Sequence, residues 1–393
     1  MTESIRQDGT PRPVRVAVIG MGWMGRVHAQ AYARVSHHYP EGPARAVLVA
    51  LADDVSGRAA QFAEQFGAER AYTDWREVVA DPAVEAVSVT APNFLHREIG
   101  TAVLAAGKHL WIEKPVGLTA DDARAVADAA TAAGRMTAVG FNYRNAPAVR
   151  AARDLIADGA IGAVTHARFR FFSDYAAHPD GALTWRYQRD RGGNGVLGDL
   201  GSHGVDLVRH LLGDIDALVA DSAVFIPERA VPAGATSGHQ RVAAGGARGR
   251  VENDDYAAAQ LRLASGARCV VEASRVAVGE QNSYGFEVHG TSGMVRWDYR
   301  RMGELETSLG SAYQDQSVST VYIGPGSGDF AAFQPGAANP MSYDDLKVIE
   351  AQCFLRSIVT GVPEGATAAD AVYSARVVDA MTESVAAGRW VSL

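Results

Sequence analysis

Short apolar runs separated by segments of helical periodicity fill the first third of the chain. The runs are rich in β-branched residues and alanine and show no polar alternation, which is typical of strands buried on both faces. They cover residues 14–19, 46–52, 84–90, 109–113 and 136–141. Helical patterns occupy residues 26–35, 58–66, 73–80 (with Thr73 as the expected N-cap), 95–106 and 121–133. Strands that alternate with helices predict βαβ units and a parallel, doubly wound α/β sheet.

The pattern changes near Asn142. After a predicted helix at residues 147–158, residues 163–175 alternate between polar and apolar side chains, as expected for a strand with one solvent-facing side. Further apolar runs separated by glycine-containing turns predict a mostly antiparallel sheet; they cover residues 256–264, 267–278, 284–290 and 294–299. Stretches rich in proline and glycine at residues 226–250 and 324–340 are expected to be surface loops, and residues 343–387 to be helical.

Composition narrows the class of protein. A chain of 393 residues, 47% of them hydrophobic and 21% charged, suggests two globular domains. The net charge of −8 makes nucleic acids and anionic membrane surfaces poor partners. The two cysteines fit neither a disulfide framework nor a zinc site. The first twenty residues lack the basic and apolar regions of a signal peptide, and no apolar run approaches ~18 residues, so we expect a cytoplasmic protein.

A glycine-rich loop follows the first predicted strand. Gly20, Gly22 and Gly25 form the pattern G-x-G-x-x-G at a strand–turn–helix junction. In that context the pattern is typical of dinucleotide binding, because the glycines permit a tight turn and close approach to a pyrophosphate at a helix N-terminus. The alternative is an ordinary tight turn between a strand and a helix.

The acidic pair Asp53–Asp54 ends the second predicted strand. A carboxylate at this position accepts hydrogen bonds from the adenosine ribose and repels a 2′-phosphate, which favours NAD over NADP. Arg58 lies nearby and keeps NADP as an alternative cofactor, while an ordinary surface acid is the alternative for the carboxylate.

Two further segments carry candidate catalytic residues. Lys114 follows the fifth strand, and the carboxyl ends of parallel strands are where α/β sheets bind ligands. Asp199 and His203 lie four residues apart at a predicted helix start, so they share a face, and a neutral histidine is suited to accept a proton from an alcohol. The alternatives are a structural histidine, or a metal site that also includes Asp206 and His210.

These motifs, in this order, resemble the glucose–fructose oxidoreductase / inositol dehydrogenase (Gfo/Idh/MocA) family. The resemblance rests on the glycine loop, the strand-end acid, Glu113-Lys114-Pro115, Gly-Phe-Asn142-Tyr143-Arg144, Trp185-Arg186, and Asp199-x-x-x-His203-x-x-Asp206. It implies an N-terminal Rossmann domain at residues 12–143, and a C-terminal α+β domain with an open, mostly antiparallel sheet at residues 144–393. The second domain is expected to bind substrate and to form a homodimer or homotetramer through its sheet, and its C-terminal helix to pack back on the first.

The resemblance also implies residue roles. Lys114, Asp199 and His203 are the expected catalytic residues. The expected cofactor-binding residues are Gly20, Gly22, Trp23, Met24, Gly25, Asp53, Thr90, Pro92, Asn93, His96, Glu113, Lys114, Asn142 and Arg144. The expected substrate-binding residues are Lys114, Tyr143, Tyr175, Trp185, Arg186, Asp199 and His203, with no metal.

The function expected from this resemblance is hydride transfer between NAD(P) and a secondary alcohol of a sugar, inositol or glycoside. One alternative is an enzyme that retains NAD and cleaves a glycoside by transient oxidation and elimination. Another is a non-catalytic sensor of NADH, which the presence of all three expected catalytic residues disfavours.

Overall fold

The computed structural model describes residues 11–232 and 246–393. The strands, in chain order, are β1 (Arg12–Ile19), β2 (Ala44–Ala52), β3 (Arg70–Tyr72), β4 (Ala86–Val89), β5 (His109–Ile112), β6 (Thr137–Val139), β7 (Val164–Phe172), β8 (Ile215–Ala223), β9 (Glu228–Ala230), β10 (Arg248–Arg250), β11 (Tyr256–Leu263), β12 (Arg268–Ser274), β13 (Ser283–Gly290), β14 (Gly293–Asp298), β15 (Glu304–Leu309), β16 (Ser319–Tyr322) and β17 (Val391–Ser392). The helices are α1 (Trp23–His38), α2 (Arg58–Phe66), α3 (Trp75–Ala80), α4 (Asn93–Ala105), α5 (Ala120–Ala133), α6 (Pro147–Ala157), α7 (Arg189–Gly192), α8 (Ser202–Leu212), α9 (Tyr343–Thr360) and α10 (Ala368–Ala387).

These elements form two compact units. The first unit contains residues 11–145 together with Met341–Tyr373. The second contains Ala146–Pro340 and Ser374–Leu393. No helix within the described residues combines the length and apolar character needed to cross a membrane.

The first unit is built on a six-stranded parallel sheet of order β3-β2-β1-β4-β5-β6. Its central strands are buried on both faces: Val16, Val18, Val87 and Leu110 have no exposed surface. The predicted Rossmann architecture is therefore confirmed. The strand order reverses between β1 and β4, and in open α/β sheets ligands bind outside the carboxyl ends of the strands at such a point.

Two local features of this unit differ from the prediction. The N-cap of α3 is Asp74, not Thr73, because the Asp74 carboxylate accepts the N–H of Arg76 and so satisfies a free amide of the first turn. Strand β3 was not predicted, because three residues are too few to show a period.

Helix α9 belongs to the first unit, where it packs on α1. A capping box begins it, in which Ser342 and Asp345 satisfy each other's backbone amides. It ends at Gly361, whose φ of 72° is the left-handed conformation that favours glycine at a helix C-terminus. The predicted helical stretch at residues 343–387 is therefore two helices, α9 and α10.

The second unit contains a nine-stranded sheet of order β16-β15-β14-β13-β7-β12-β11-β8-β17. Every neighbouring pair is antiparallel except β7 and β12, so the predicted mostly antiparallel sheet is confirmed. The alternation predicted for β7 is also present, since Ala167, Phe169 and Phe171 are buried while Arg168 is exposed. Helix α8 lies closely over this sheet, because a Cβ on Gly204 would be 3.0 Å from Val271 Cγ1.

The stretch at residues 226–250, predicted as a loop, differs in part. Its two ends pair as the antiparallel strands β9 and β10, with Arg229 opposite Gly249. The Arg229 side chain is fully buried and donates to the carbonyl oxygens of Ala176 and His178, which holds this ribbon in place. Residues 233–245 lie outside the described parts of the chain. The same holds for residues 1–10, which belong to the segment expected to lack a signal peptide.

Candidate active site

The glycine loop after β1 has the geometry of a phosphate cradle. Gly20 has a φ of 90°, and a Cβ on Gly25 would lie 2.0 Å from the carbonyl oxygen of Gly20. A Cβ on Gly22, in contrast, would meet no atom within 4 Å. Gly22 is also the N-cap of the sixteen-residue α1 and supplies no side-chain cap. The loop thus combines a tight turn, open space and a helix N-terminus, which is what a pyrophosphate requires.

Asp53 is tied to this loop. Its buried carboxylate accepts a hydrogen bond from the Met21 amide at 2.7 Å and another from the Val55 amide at 2.9 Å. Arg58 Nη1 lies 3.3 Å from the same carboxylate. The acid therefore stands beside the glycine loop, as a ribose-binding carboxylate must, while Asp54 is exposed.

The segment after β4 closes the other side of the glycine loop. Thr90 Oγ1 donates to the carbonyl oxygen of Gly20 at 2.5 Å. Pro92 is the N-cap of α4, and Asn93 is its first residue. His96 is buried, with its two ring nitrogens each 2.7 Å from a carbonyl oxygen, those of Ala91 and Pro115. Burial outweighs these contacts and lowers the pKa of His96.

Glu113 and Lys114 directly follow β5. The Glu113 carboxylate turns into the unit, where Oε1 lies 3.0 Å from His28 Nε2 and 2.5 Å from Lys347 Nζ. Burial alone raises the pKa of Glu113, but the Lys347 charge and the hydrogen bonds outweigh it, so that the pKa lies well below its usual value. Lys114 is half-buried at the carboxyl end of the strand.

The turn at Asn142–Asn145 contributes a buried amide to the first unit. Asn142 has no exposed surface, and neither Nδ2 nor Oδ1 has a hydrogen-bond partner among the described residues. A buried amide without a partner is costly, so this side chain fits a ligand that supplies a donor and an acceptor. Tyr143 is buried against Tyr343, and Arg144 pairs with Asp370 at 3.2 Å.

Asp199 and His203 belong to the second unit. Leu197–Gly201 form a π-helical turn that leads into α8, where a regular α-helix was predicted. Such turns insert an extra residue into a helix and are frequent at functional sites. His203 is buried, with its ring 5.9 Å from that of Phe171 and 6.1 Å from that of Tyr284. Tyr284 also donates its hydroxyl to the His203 carbonyl oxygen, which fixes the main chain there.

Tyr175 meets Asp199 directly. The Tyr175 hydroxyl donates to Asp199 Oδ2 at 2.5 Å. Burial, reinforced by the negative charge of Asp199, raises the pKa of Tyr175 well above its ordinary value. The tyrosine therefore stays protonated and holds one carboxylate oxygen of Asp199 in a defined orientation.

The structure also places the other residues of the second unit that were predicted to contribute to the site. Trp185 and Arg186 lie in one turn, with the guanidinium 4.3 Å from the centre of the indole ring. Asp206 is buried within α8. In the described parts of the chain, no group of three or more His, Cys, Asp or Glu side chains is placed to hold a metal ion.

Sequence comparison identifies both units. The chain matches the family model "Oxidoreductase family, NAD-binding Rossmann fold" at residues 14–141 and the "GFO/IDH/MocA C-terminal domain" at residues 149–296. Levoglucosan dehydrogenase from Pseudarthrobacter phenanthrenivorans is 36% identical over 382 residues, or 97% of this chain and 98% of that protein. The chain belongs to the Gfo/Idh/MocA family. It is an NAD-dependent oxidoreductase, and its first unit is the NAD-binding domain.

Other members of the Gfo/Idh/MocA family agree over the same length. Inositol 2-dehydrogenase from Rhizobium meliloti is 27% identical over 384 residues, covering 97% of this chain and 99% of that protein. Among solved structures, levoglucosan dehydrogenase in complex with NADH and levoglucosan superposes with a TM-score of 0.90 at 35% identity, covering 97% of this chain and 99% of that chain.

Three residues of the site were missed from the sequence. His28, Lys347 and Glu350 are buried around Glu113, although 234 residues separate Lys347 from Glu113. The available indication was the composition of α9, where Lys347 and Glu350 interrupt an otherwise apolar stretch that includes Leu346, Val348 and Ile349. Charged residues at such positions are rarely buried unless they are paired.

Proposed function

We propose that the protein oxidises a secondary alcohol of a pyranose sugar or anhydrosugar with NAD. The observation that carries the proposal is the full-length likeness to levoglucosan dehydrogenase, which covers the cofactor unit and the unit that contains Asp199 and His203. Levoglucosan is therefore the first substrate to test, and L-sorbose and myo-inositol are the next, since both are ligands named in the structures of relatives.

Bound NAD supplies the hydride acceptor. In the proposed reaction His203 accepts the proton of the substrate hydroxyl, because a neutral imidazole is a competent base near neutral pH. Lys114 donates a hydrogen bond to the same oxygen and stabilises the negative charge that develops there. Asp199, oriented by Tyr175, binds the substrate or orients His203.

Residues of the first unit hold the cofactor in this proposal. The glycine loop binds the pyrophosphate, Asp53 binds the adenosine ribose, and the Asn142 amide pairs with a polar group of the nicotinamide half. Thr90, Pro92, Asn93, His96 and Glu113 line the same half, together with Trp23, Met24 and Arg144. Tyr143, Trp185 and Arg186 are assigned to substrate contacts.

The test is a panel of anhydrosugars, aldoses, ketoses and inositols, with NADH formation followed by absorbance. We expect turnover with at least one pyranose or anhydrosugar, and a kcat/KM that is higher with NAD than with NADP. Glycoside cleavage without NADH accumulation would contradict the proposal in favour of the elimination enzyme. Cofactor binding without turnover of any sugar would contradict it in favour of a sensor.

A further inference from the structure

A buried cluster of charged side chains lies behind the segment that contains Lys114. Its members are His28 from α1, Glu113 after β5, and Lys347 and Glu350 from α9. All four belong to the first unit, and the side chain of Lys347 has no exposed surface. None of the roles assigned above uses Lys347 or Glu350.

Lys347 is the centre of this cluster. Its ammonium lies 2.5 Å from Glu113 Oε1 and 3.2 Å from Glu350 Oε1. The Trp111 indole donates to Glu350 Oε1 at 2.5 Å, and the His28 ring stacks on Trp111 with centroids 3.6 Å apart. The cluster therefore connects α9 to β5 at two places: at Trp111 within the strand and at Glu113 directly after it.

The charges of the cluster favour a strong bond between Lys347 and Glu113. Burial opposes the charge of Lys347, yet Glu113 and Glu350 raise its pKa above the usual value. Burial lowers the pKa of His28 to about 4, so the ring is neutral near pH 7. Burial raises the pKa of Glu350 to about 7. Lys347 and Glu113 are thus the ionised pair, and the other two members are wholly or partly neutral.

Glu113 is held on its other sides by the sheet. Its amide donates to the Val89 carbonyl oxygen, and its carboxylate lies against Gly140, where a Cβ would come within 2.5 Å of Oε2. The carboxylate therefore packs against the chain that follows β6, and its orientation depends on the two groups that contact Oε1, the Lys347 ammonium and the His28 ring. The next residue is Lys114, so a shift of the Glu113 main chain also moves the main chain of Lys114.

A buried ion pair of this kind is a weak source of stability, because desolvation offsets most of its Coulomb energy. Positioning has a larger effect on a reaction, since a displacement of about 1 Å at a reacting group costs about 10²-fold in rate. We propose that Lys347 is a positioning residue, which acts through Glu113 to hold Lys114 in its productive orientation. This inference rests on the proposed function, in which Lys114 binds the reacting oxygen.

The first test compares two variants. Each of them removes one cation that forms an ion pair with a carboxylate of α9. In Lys347→Met, kcat is expected to fall by about 10²-fold, with NADH affinity within about threefold of wild type. The matched control is Arg34→Met, which removes the ion pair of Arg34 on α1 with Asp345 on α9. That pair is partly exposed, so kcat in the control is expected within about twofold of wild type. Equal losses in both variants, or an unchanged kcat in Lys347→Met, would overturn the inference.

The second test asks whether Lys347 acts through Glu113. If it does, Glu113→Gln alone and the double variant Glu113→Gln, Lys347→Met have the same kcat, because Glu113→Gln already removes the ion pair through which Lys347 acts. Losses that multiply would show an independent role and overturn the inference. The double variant removes both charges of the Lys347–Glu113 pair together, so neither partner is left as a lone buried ion, and the variant remains usable if Lys347→Met alone does not fold.

A third measurement does not depend on turnover. Hydrogen–deuterium exchange of amides at residues 109–118 is expected to be about tenfold faster in Lys347→Met than in Arg34→Met, because the strand end loses its buried anchor. Equal exchange in the two variants would overturn the inference. A wild type that oxidises no sugar would instead contradict the proposed function, and the exchange experiment would still decide the role of Lys347.

Discussion

Replacement of Glu350 by glutamine should change how stability depends on pH. Glu350 is buried in the first unit, with Lys347, Glu113 and the Trp111 indole around its carboxyl group. Burial, reinforced by the negative charge of Glu113, raises its pKa from 4.5 to about 7 despite the attraction of Lys347. Between these two values the folded protein holds a proton that the unfolded chain releases.

The sign and size of the effect follow from this difference. A group whose pKa is higher in the folded state stabilises the fold at low pH, and this contribution is lost as the pH rises through the folded value. Values of 4.5 and about 7 differ by about 2.5, which corresponds to about 3 kcal/mol of unfolding free energy at ~1.4 kcal/mol per pKa unit. Most of this change falls between about pH 5 and about pH 8.

The assay is urea unfolding followed by tryptophan fluorescence, for the wild type and Glu350→Gln, at several pH values in that range. Glutamine resembles the neutral carboxyl group at every pH, so the stability of the variant relative to wild type is expected to rise by about 2 to 3 kcal/mol from about pH 5 to about pH 8. His28 and His109, whose pKa values burial lowers to about 4, titrate in both proteins and cancel in the difference. Parallel stability curves for the two proteins would show that Glu350 does not titrate differently in the folded and unfolded states.

Three further predictions concern the cofactor and the proposed catalytic residues. Gly22→Ala should leave the unfolding temperature near wild type, because its Cβ meets no atom within 4 Å, but should weaken NADH binding by about tenfold or more, as measured by fluorescence titration; unchanged affinity would contradict the phosphate cradle. Asp53→Ala should lower kcat/KM more for NAD than for NADP, whereas a wild type that prefers NADP tenfold would show that the acid has been misassigned. Tyr175→Phe removes the hydroxyl that donates to Asp199 and should reduce sugar kcat/KM by about tenfold or more with NADH affinity unchanged; activity equal to wild type would mean that Asp199 needs no such support.

The sequence best predicted those features that depend on a few neighbouring residues. The glycine loop and the buried strands of the first unit were predicted because steric limits at Gly20 and Gly25, and burial on both faces of the sheet, act over a few neighbouring residues. The alternation in β7 was equally informative, since one face of that strand packs on the core and the other meets solvent.

Long-range and irregular features were not predictable in the same way. The contact of Lys347 with Glu113 joins two segments far apart in the chain, and no local pattern in α9 names its partner. The π-helical turn at Leu197–Gly201 shifts the relation of Asp199 to His203 away from that of a regular helix, yet no periodic pattern in these five residues indicates the extra residue. The ribbon of β9 and β10 is held in place by the buried Arg229, whose side-chain partners lie about fifty residues earlier.

The homo-oligomer expected through the C-terminal sheet remains a prediction. The strand β16 is exposed along its whole length at one edge of that sheet, with Val321 and Tyr322 among its residues. An open strand edge with apolar side chains is suited to pairing with another chain.

The proposed reaction depends on two roles: His203 accepts the substrate proton, and Lys114 binds the same oxygen. The most direct measurement is the pH profile of NADH formation, at saturating cofactor, for the wild type and His203→Ala. We expect wild-type kcat to rise through the titration of one group and then level, and His203→Ala to lose this rise together with about 10²–10⁴-fold of kcat. A His203→Ala enzyme that retains both its rate and its rise with pH would rule out His203 as the base and assign the proton to Lys114.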